Sequence, residues 1–300
     1  MFRQALAVAR QFTGPVVLSR RTVGGTCSSA IGAFVVVNHE GWIVTAAHIL
    51  EQLRTMSEQV DSARAHDAAI AAIEADGSLN RQEKRRRLRA AGHLDRNHTD
   101  RFSAWWGRDG VQVSQMIEVA HVDLGIAKLE PFDPSWYLVY PQFKDPTKDC
   151  EPGTSLCKLG FPFHTITPTW DEAVGSFRLP AGALPIPLFP IEGMFTRTAE
   201  IVVLDAAGAP IDTGLPLRWI ETSSPGLRGQ SGGPIFDIHG TVWAIQSNTA
   251  HYPVGFNPPV PGGRPGMEEH QFLNAGRGVH PETILGALNH FGITHQVSSY

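Results

Sequence analysis

The chain has 300 residues, of which 42% are hydrophobic and 18% are charged. This composition supports a buried core and excludes a disordered chain, and the 30 glycines and 22 prolines favour many tight turns over a helical bundle. The 25 basic and 29 acidic residues give a net charge of −4, so general binding of nucleic acid is not expected, and no apolar run approaches the length of a membrane span.

Residues 1–21 are predicted to be an N-terminal extension, because strand texture begins only after them. They lack the apolar core of about 7–15 residues that a secretory signal needs. The three cysteines, Cys27, Cys150 and Cys157, are too few and odd in number for a disulfide framework. A disulfide between Cys150 and Cys157 across a Pro-Gly turn is the alternative, but free thiols are favoured. We therefore expect a cytoplasmic, reducing location.

A first β-barrel is predicted over residues 22–145, with a helical hairpin inserted at 51–101. Residues 22–48 alternate glycines with β-branched runs, which indicates short strands joined by turns. Apolar residues from Leu53 to Ile70 then recur at spacings of three and four, the period of a helix. Asn80–Glu83 resembles a capping box that opens a second helix.

Residues 146–300 are predicted to form a second β-barrel with a closing C-terminal helix. Ser155–Leu159 and Thr241–Ile245 have the composition of short strands. Pro281 stands at a suitable first helical position before an apolar run. The fold class is therefore all-β, with a pair of barrels.

The strongest chemical signal is the segment Gly229-Gln-Ser231-Gly-Gly-Pro234, which leads directly into a strand. A nucleophilic serine needs an exposed Oγ on a tight turn beside N–H groups that face the developing oxyanion. The N–H groups of Gly229 and Ser231 would form that anion pocket. The alternative is an ordinary Gly-Ser turn between two strands.

Two further segments complete a pattern. His48 ends the run Thr45-Ala-Ala-His48 at the end of a strand, where a general base would be held rigidly. Asp123 begins an apolar strand and would orient such a histidine. Taken separately, His48 also fits a surface or core histidine, and Asp123 also fits a turn cap. In the chain order His, Asp, Ser they form one constellation.

With the further segments Pro152–Pro162 and Ile220–Thr222, these motifs resemble the trypsin-like (chymotrypsin-fold) serine peptidases, closest to the bacterial HtrA-like branch, without a PDZ domain. The resemblance implies two six-stranded β-barrels. It also implies that His48 is general base and then general acid, that Asp123 orients it, and that Ser231 is the nucleophile. The oxyanion-hole donors would be the N–H groups of Gly229 and Ser231.

The same resemblance implies a substrate-binding region. The strand containing Gln246, Ser247 and Asn248 would pair with the substrate backbone. Pro225 stands six residues before the nucleophile, where a trypsin-like preference for basic P1 residues needs an aspartate. A neutral, small or apolar P1 residue is expected instead. Gln230, directly before the nucleophile, is uncharged, so the ion pair of an activated zymogen is not expected.

Two readings of function follow. The first is an active serine endopeptidase that acts on polypeptides, with regulation by a partner as an option. The second is a pseudoprotease, or a peptide- or partner-binding module, that uses the cleft and the basic helical hairpin without turnover. Residues 81–96 carry seven basic and two acidic side chains, so the hairpin 51–101 is either a solvated surface or a docking site for a protein. No metal or cofactor is expected, because neither ligand spacing nor a nucleotide-binding loop is present.

Overall fold

The computed structural model describes residues 1–259, 262, 264, 266 and 268–299. In this part of the chain the α-helices are α1 (Arg3–Phe12), α2 (Ala47–Ala75), α3 (Arg81–Ala91) and α4 (Pro281–His290). The strands are β1 (Thr13–Thr22), β2 (Cys27–Val36), β3 (Trp42–Ala46), β4 (Thr99–Trp105), β5 (Gln112–Val119), β6 (Leu124–Glu130), β7 (Gln142–Phe143), β8 (Ser155–Gly160), β9 (Thr169–Asp171), β10 (Ser176–Arg178), β11 (Phe189–Glu200), β12 (Arg218–Thr222), β13 (Pro234–Phe236), β14 (Val242–Pro253), β15 (Phe272–Val279) and β16 (Gln296–Val297). None of these helices is both long and apolar enough to span a membrane.

The N-terminal half contains a curled, antiparallel, six-stranded sheet in the order β4-β1-β2-β3-β6-β5. Its edge strands β4 and β5 do not pair with each other within the described residues. Helix α2 packs against both edge strands and against β6, so it covers the opening that the sheet leaves. The buried side chains of Ile49 and Leu50 join the core of this half barrel, beside Phe34 and Trp106.

The C-terminal half contains a closed barrel. Strands β13, β8, β11, β12, β15 and β14 follow one another in the sheet, and β13 pairs again with β14. The short strands β7 and β16 extend this sheet in parallel. Helix α4 buries an apolar face that includes Ile284 and Leu288. The expected two-barrel, chymotrypsin-like architecture with a helical insertion and a C-terminal helix is therefore confirmed.

The N-terminal segment is part of the first sheet, which corrects its description as an extension. Strand β1 begins at Thr13 and pairs with both β2 and β4, while Phe12 of α1 is fully buried. The sequence does not predict this strand, because Gly14 and Pro15 are both unfavourable in strand interiors. In the fold Gly14 is required, because a Cβ there would overlap the ring of Phe34.

The two predicted helices of the hairpin are present, and their capping residues explain where α2 ends and where α3 begins and ends. Helix α2 stops with Asp76 as its C-cap, and α3 ends at Gly92, whose φ is +72°. Asn80 caps α3 by accepting the N–H of Glu83. The first half of α2 packs on the sheet, whereas α3 has no buried residue.

We expect Leu50→Ala to lower the free energy of unfolding by about 2–5 kcal/mol, since the fully buried side chain fills the core beneath α2. Leu88→Ala on α3 is the control, with an expected loss below about 1 kcal/mol. Urea unfolding followed by circular dichroism measures both. Equal losses in the two variants would contradict the role of α2 as the cover of the half barrel.

Candidate active site

The pairing of β3 with β6 brings His48 and Asp123 together. Ala46, the last residue of β3, pairs with Leu124, the first residue of β6. His48 and Asp123 flank these positions and therefore lie at the same end of the sheet. The Nδ1 atom of His48 is 2.9 Å from Oδ2 and 3.1 Å from Oδ1 of Asp123, and the backbone N–H of His48 donates to Oδ1 at 2.8 Å.

Asp123 is held as an anion. Burial raises the pKa of its carboxyl group, but hydrogen bonds from His48 and Ser247 outweigh this effect, so the pKa lies below its ordinary value. The hydroxyl of Ser247 donates to Oδ2 at 2.7 Å. An ionised carboxylate accepts, so Nδ1 of His48 carries a proton and Nε2 is left as the acceptor. The sequence predicts only a substrate-binding role for Ser247, whereas the structure also places its hydroxyl on Asp123.

Ser231 connects the two barrels. Its carbonyl oxygen accepts the N–H of Ala33 in β2, and the N–H of the next residue, Gly232, donates to Gln246 in β14. The hydroxyl of Ser231 donates to the carbonyl oxygen of Ser247 at 3.3 Å. His48 and Ser231 line one cavity of about 920 Å³. Proton transfer between them requires the hydroxyl to rotate from Ser247 towards Nε2 of His48.

The predicted oxyanion loop has two N–H groups without a partner in the described chain, those of Gly229 and Ser231. Gly229 has a φ of +95°, and a Cβ there would collide with the carbonyl of Phe161, so this position requires glycine. Between them, Gln230 is fully buried and its Oε1 accepts the N–H of Leu227 at 3.0 Å. The loop is thus held from inside while two donors stay available for an anionic oxygen.

Three of the four predicted substrate-binding residues line one further pocket next to Ser231, of about 340 Å³: Pro225, Ser247 and Asn248. Gln246 does not, which corrects that assignment. Its side chain is buried, and its Nε2 donates to the carbonyl oxygens of Asn248 and Arg277. Its backbone N–H donates to Gly233 and its carbonyl accepts from Gly232, so Gln246 stabilises the strand beneath the pocket and has no backbone group left for a substrate.

Sequence reasoning missed Lys158, which lies behind the same pocket. Its side chain is fully buried, and Nζ donates to Thr222 Oγ1 at 3.1 Å and to the carbonyls of Ser224 at 2.5 Å and Pro225 at 2.8 Å. Burial lowers its pKa to about 7, since no carboxylate accompanies it within the described residues. A lysine inside an apolar strand was the available signal in the sequence.

The family model described as a trypsin-like peptidase domain matches residues 32–245. No curated protein sequence matches the chain. Similar solved structures include the HtrA-type protease AlgW with a tripeptide, at 12% identity and a TM-score of 0.46, covering 98% of this chain and 65% of that one. The active form of the Rv3671c protease from M. tuberculosis has 12% identity and a TM-score of 0.45, covering 98% and 86%. The chain thus spans less than two thirds of the AlgW chain.

The low pKa of Lys158 predicts a distinct pH dependence of stability. Between pH 7 and 10.5 the folded state holds this side chain neutral while the unfolded chain still binds the proton. The contribution of Lys158 to the free energy of unfolding should therefore rise with pH by about 1 kcal/mol per pH unit from pH 7 to pH 9, and it should be lost below pH 7. Above pH 9 the raised pKa of Cys150 and Cys157 opposes it, because the unfolded chain releases these thiol protons first.

Guanidinium unfolding at pH 7, 8 and 9 measures this slope. Lys158→Met should lose it, whereas Lys148→Met, which removes an exposed lysine, should keep it. The same slope in all three proteins would disprove the assignment.

Proposed function

This chain belongs to the trypsin-like peptidase family, and we propose on that premise that it is an active serine endopeptidase. The observation that carries the proposal is the pairing of His48 Nδ1 with Asp123 at 2.9 Å, with Ser231 in the same cavity. A base oriented by a half-buried carboxylate beside a serine on a glycine-rich turn is the arrangement that activates a hydroxyl as a nucleophile.

In the proposed reaction Ser231 Oγ attacks the carbonyl carbon of the scissile bond, and its proton passes to Nε2 of His48. The oxyanion that forms accepts hydrogen bonds from the N–H groups of Gly229 and Ser231. His48 then donates its proton to the leaving amine, and an acyl group stays bound to Ser231. Water, deprotonated by His48, hydrolyses this ester and restores the free serine.

The pocket formed by Pro225, Ser247, Asn248 and their neighbours supports a neutral P1 residue. Its lining includes no aspartate or glutamate, so a lysine or arginine side chain of the substrate would find no counter-ion there. Arg228 lies along its wall and would repel such a residue. We therefore keep the expectation of a small or apolar P1 side chain.

The alternative function is a peptide-binding module without turnover. Its Ser231 hydroxyl would be unreactive, so the reactivity of this group distinguishes the two functions. We expect a fluorophosphonate probe to label the protein at Ser231, because the probe reacts only with an activated serine. Ser231→Ala should abolish labelling, and Ser78→Ala, in the turn between α2 and α3, should leave it unchanged. Mass spectrometry of the labelled protein measures both. Absence of labelling at Ser231 in the wild type would favour the binding module.

We also propose that helix α3 is a docking site for an acidic segment of a substrate or regulator. All of its residues are outside the buried core, and Arg85, Arg86, Arg87 and Arg89 are exposed. A solvated charged face needs no partner, but four exposed guanidiniums in five positions form a concentrated positive surface.

This docking can be tested with a cleavable reporter peptide, with and without an appended run of glutamates. The glutamates should lower KM several-fold for the wild type. Replacing the four arginines with glutamine should remove the effect, and replacing them with lysine should largely keep it, since the charge is preserved. No effect of the glutamates on the wild type would exclude docking of an acidic segment.

A cytoplasmic location is part of the proposal. Cys27, Cys150 and Cys157 are all free thiols in the structure. Burial raises the pKa of both Cys150 and Cys157 to about 11, so neither is activated for disulfide exchange. These features support a protein that functions in a reducing compartment.

A further inference from the structure

The pocket beside Ser231 has one wall in which every backbone polar group already has a partner. Pro225, Gly226 and Leu227 line this pocket, and we call this segment, residues 225–227, the pocket wall. Proline has no N–H, and the other N–H and C=O groups of the three residues are hydrogen-bonded within the protein. The pocket wall therefore offers no free backbone donor or acceptor to a substrate side chain.

Two side chains hold positions 226 and 227 of the pocket wall. The hydroxyl of Thr249 in β14 accepts the N–H of Gly226 at 2.9 Å and donates to the carbonyl of the same residue at 2.8 Å. Gln230 holds both backbone groups of Leu227, because its Oε1 accepts the N–H at 3.0 Å and its own N–H donates to the carbonyl at 2.9 Å. The remaining polar group of the pocket wall is the carbonyl of Pro225.

Lys158 binds this carbonyl from behind the pocket wall. The lysine is fully buried and does not line the pocket. Its Nζ donates to the carbonyl of Pro225 at 2.8 Å, and within the described chain this is the only donor that the carbonyl has. The carbonyl of Ser224, in contrast, accepts the N–H of Gly276 as well as Lys158 Nζ. The Pro225 carbonyl therefore depends on Lys158 for its hydrogen bond.

Lys158 and Thr249 hold opposite ends of one peptide unit. In a trans peptide the C=O and the N–H point in opposite directions. The carbonyl of Pro225 is accordingly directed into the barrel, and the N–H of Gly226 is directed towards Thr249. Replacing Lys158 with an apolar residue would release the C=O end of this peptide unit and leave it free to rotate.

Stability does not account for a lysine at position 158. Its Nζ has only neutral oxygen atoms as hydrogen-bond partners, and burial lowers its pKa to about 7 because the charge is desolvated. An apolar side chain of similar volume would fill the same space without this cost. It would supply no donor for the carbonyl of Pro225, so this hydrogen bond is what the lysine adds. Charged or neutral, the amino group retains N–H donors for it.

Resting on the proposed function, we propose that Lys158 is a positioning residue, which makes the pocket select apolar P1 side chains by holding the carbonyl of Pro225 out of it. Without this donor the carbonyl turns towards the pocket, since a buried carbonyl that lacks a partner costs free energy. There it accepts a hydrogen bond from a polar P1 side chain. With Lys158 in place, a P1 hydroxyl loses its water without gaining a partner from the pocket wall, and an apolar group of the same size is favoured.

Peptides with isosteric P1 residues measure this selectivity, because the members of each pair differ in polarity but hardly in size. The pairs are α-aminobutyrate against serine and valine against threonine. For the wild type we expect kcat/KM to favour the apolar member by about fivefold, on the order of one hydrogen bond. For Lys158→Met the ratio should fall close to unity, because the freed carbonyl accepts the hydroxyl. A wild-type ratio close to unity, or the same ratio in both proteins, would overturn the proposal.

The orientation of the peptide unit can be observed directly. A crystal structure of Lys158→Met should show the carbonyl of Pro225 turned towards the pocket, with the N–H of Gly226 released from Thr249. An unchanged orientation would exclude the proposed role, whatever the activity of the variant.

Two further variants show whether the effect belongs to the donor. Lys158→Leu, an apolar replacement of another shape, should give the same low ratio as Lys158→Met, so the result does not rest on the folding of one variant. Lys144→Met removes a second buried lysine, which lies beside Val242 at the start of β14, and should keep the wild-type ratio. An equal loss of selectivity in Lys144→Met would reflect a general loosening of the barrel and would contradict the proposal.

Binding of the same peptides to Ser231→Ala, with and without Lys158→Met, separates this proposal from the proposed function when it is measured by calorimetry. If the wild type cleaves no peptide but Lys158→Met removes the preference of Ser231→Ala for the apolar members, the role of Lys158 is supported and the peptidase activity is not. If cleavage occurs and Lys158→Met changes neither ratio, the peptidase activity stands and the role of Lys158 is excluded.

Discussion

The junction between the barrels at Ser231 is the contact on which the site depends. The carbonyl of Ser231 accepts the N–H of Ala33 from the first barrel, and Gly232 donates to Gln246 of the second. Gly232 has a φ of +84°, and a Cβ there would overlap Ala33 and Thr45. Only glycine lets the loop approach the first sheet so closely. His48 and Asp123 come from the first barrel and Ser231 from the second, so this approach determines whether they share a cavity.

Glu221 and Lys158 are both buried in the second barrel, and their charges are accommodated in different ways. Glu221 is paired with the guanidiniums of Arg197 at 2.6 Å and Arg277 at 2.7 Å, and these hydrogen bonds hold its pKa below the ordinary value despite burial. Lys158 has only neutral oxygens as partners. Glu221 therefore stays charged in an ion pair with two guanidiniums. The pKa of Lys158 is lowered instead, because burying its charge without a counter-ion costs desolvation free energy. Lys158 holds the carbonyls that lead into the pocket for the substrate.

Helix α2 combines three tasks in one element. Its first turn carries His48, its apolar face covers the opening of the half barrel through Ile49 and Leu50, and a polar face lines the cavity beside His48. An amphipathic helix has room for both faces because its side chains repeat every 3.6 residues. The insertion that lengthens the chain between His48 and Asp123 is thus partly structural. Helix α3, which has no buried residue, contributes least of the insertion to the core.

Local patterns in the sequence were sufficient for the family, the two-barrel class and the candidates His48, Asp123 and Ser231. Each of these three stands at a strand boundary inside a short motif, and the match to the family model confirms the resemblance on which they were proposed. The hairpin was equally predictable, because the helical period and the caps at Asn80 and Gly92 are properties of neighbouring residues.

Properties that depend on distant residues were not predictable in this way. Gly14 and Pro15 interrupt the strand pattern of β1 in the sequence. Only the contact with the ring of Phe34 explains why position 14 needs glycine. The apolar strand around Lys158 indicates burial of this lysine, but only the fold places the carbonyls of Ser224 and Pro225 around its ammonium group. Within the described chain, residues 27–32 of β2 have no strand on their second edge, because β3 pairs with β2 only at Val35 and Val36. Residue type and spacing record what a side chain can do, but which groups surround it depends on chain segments that meet only when the sheets close.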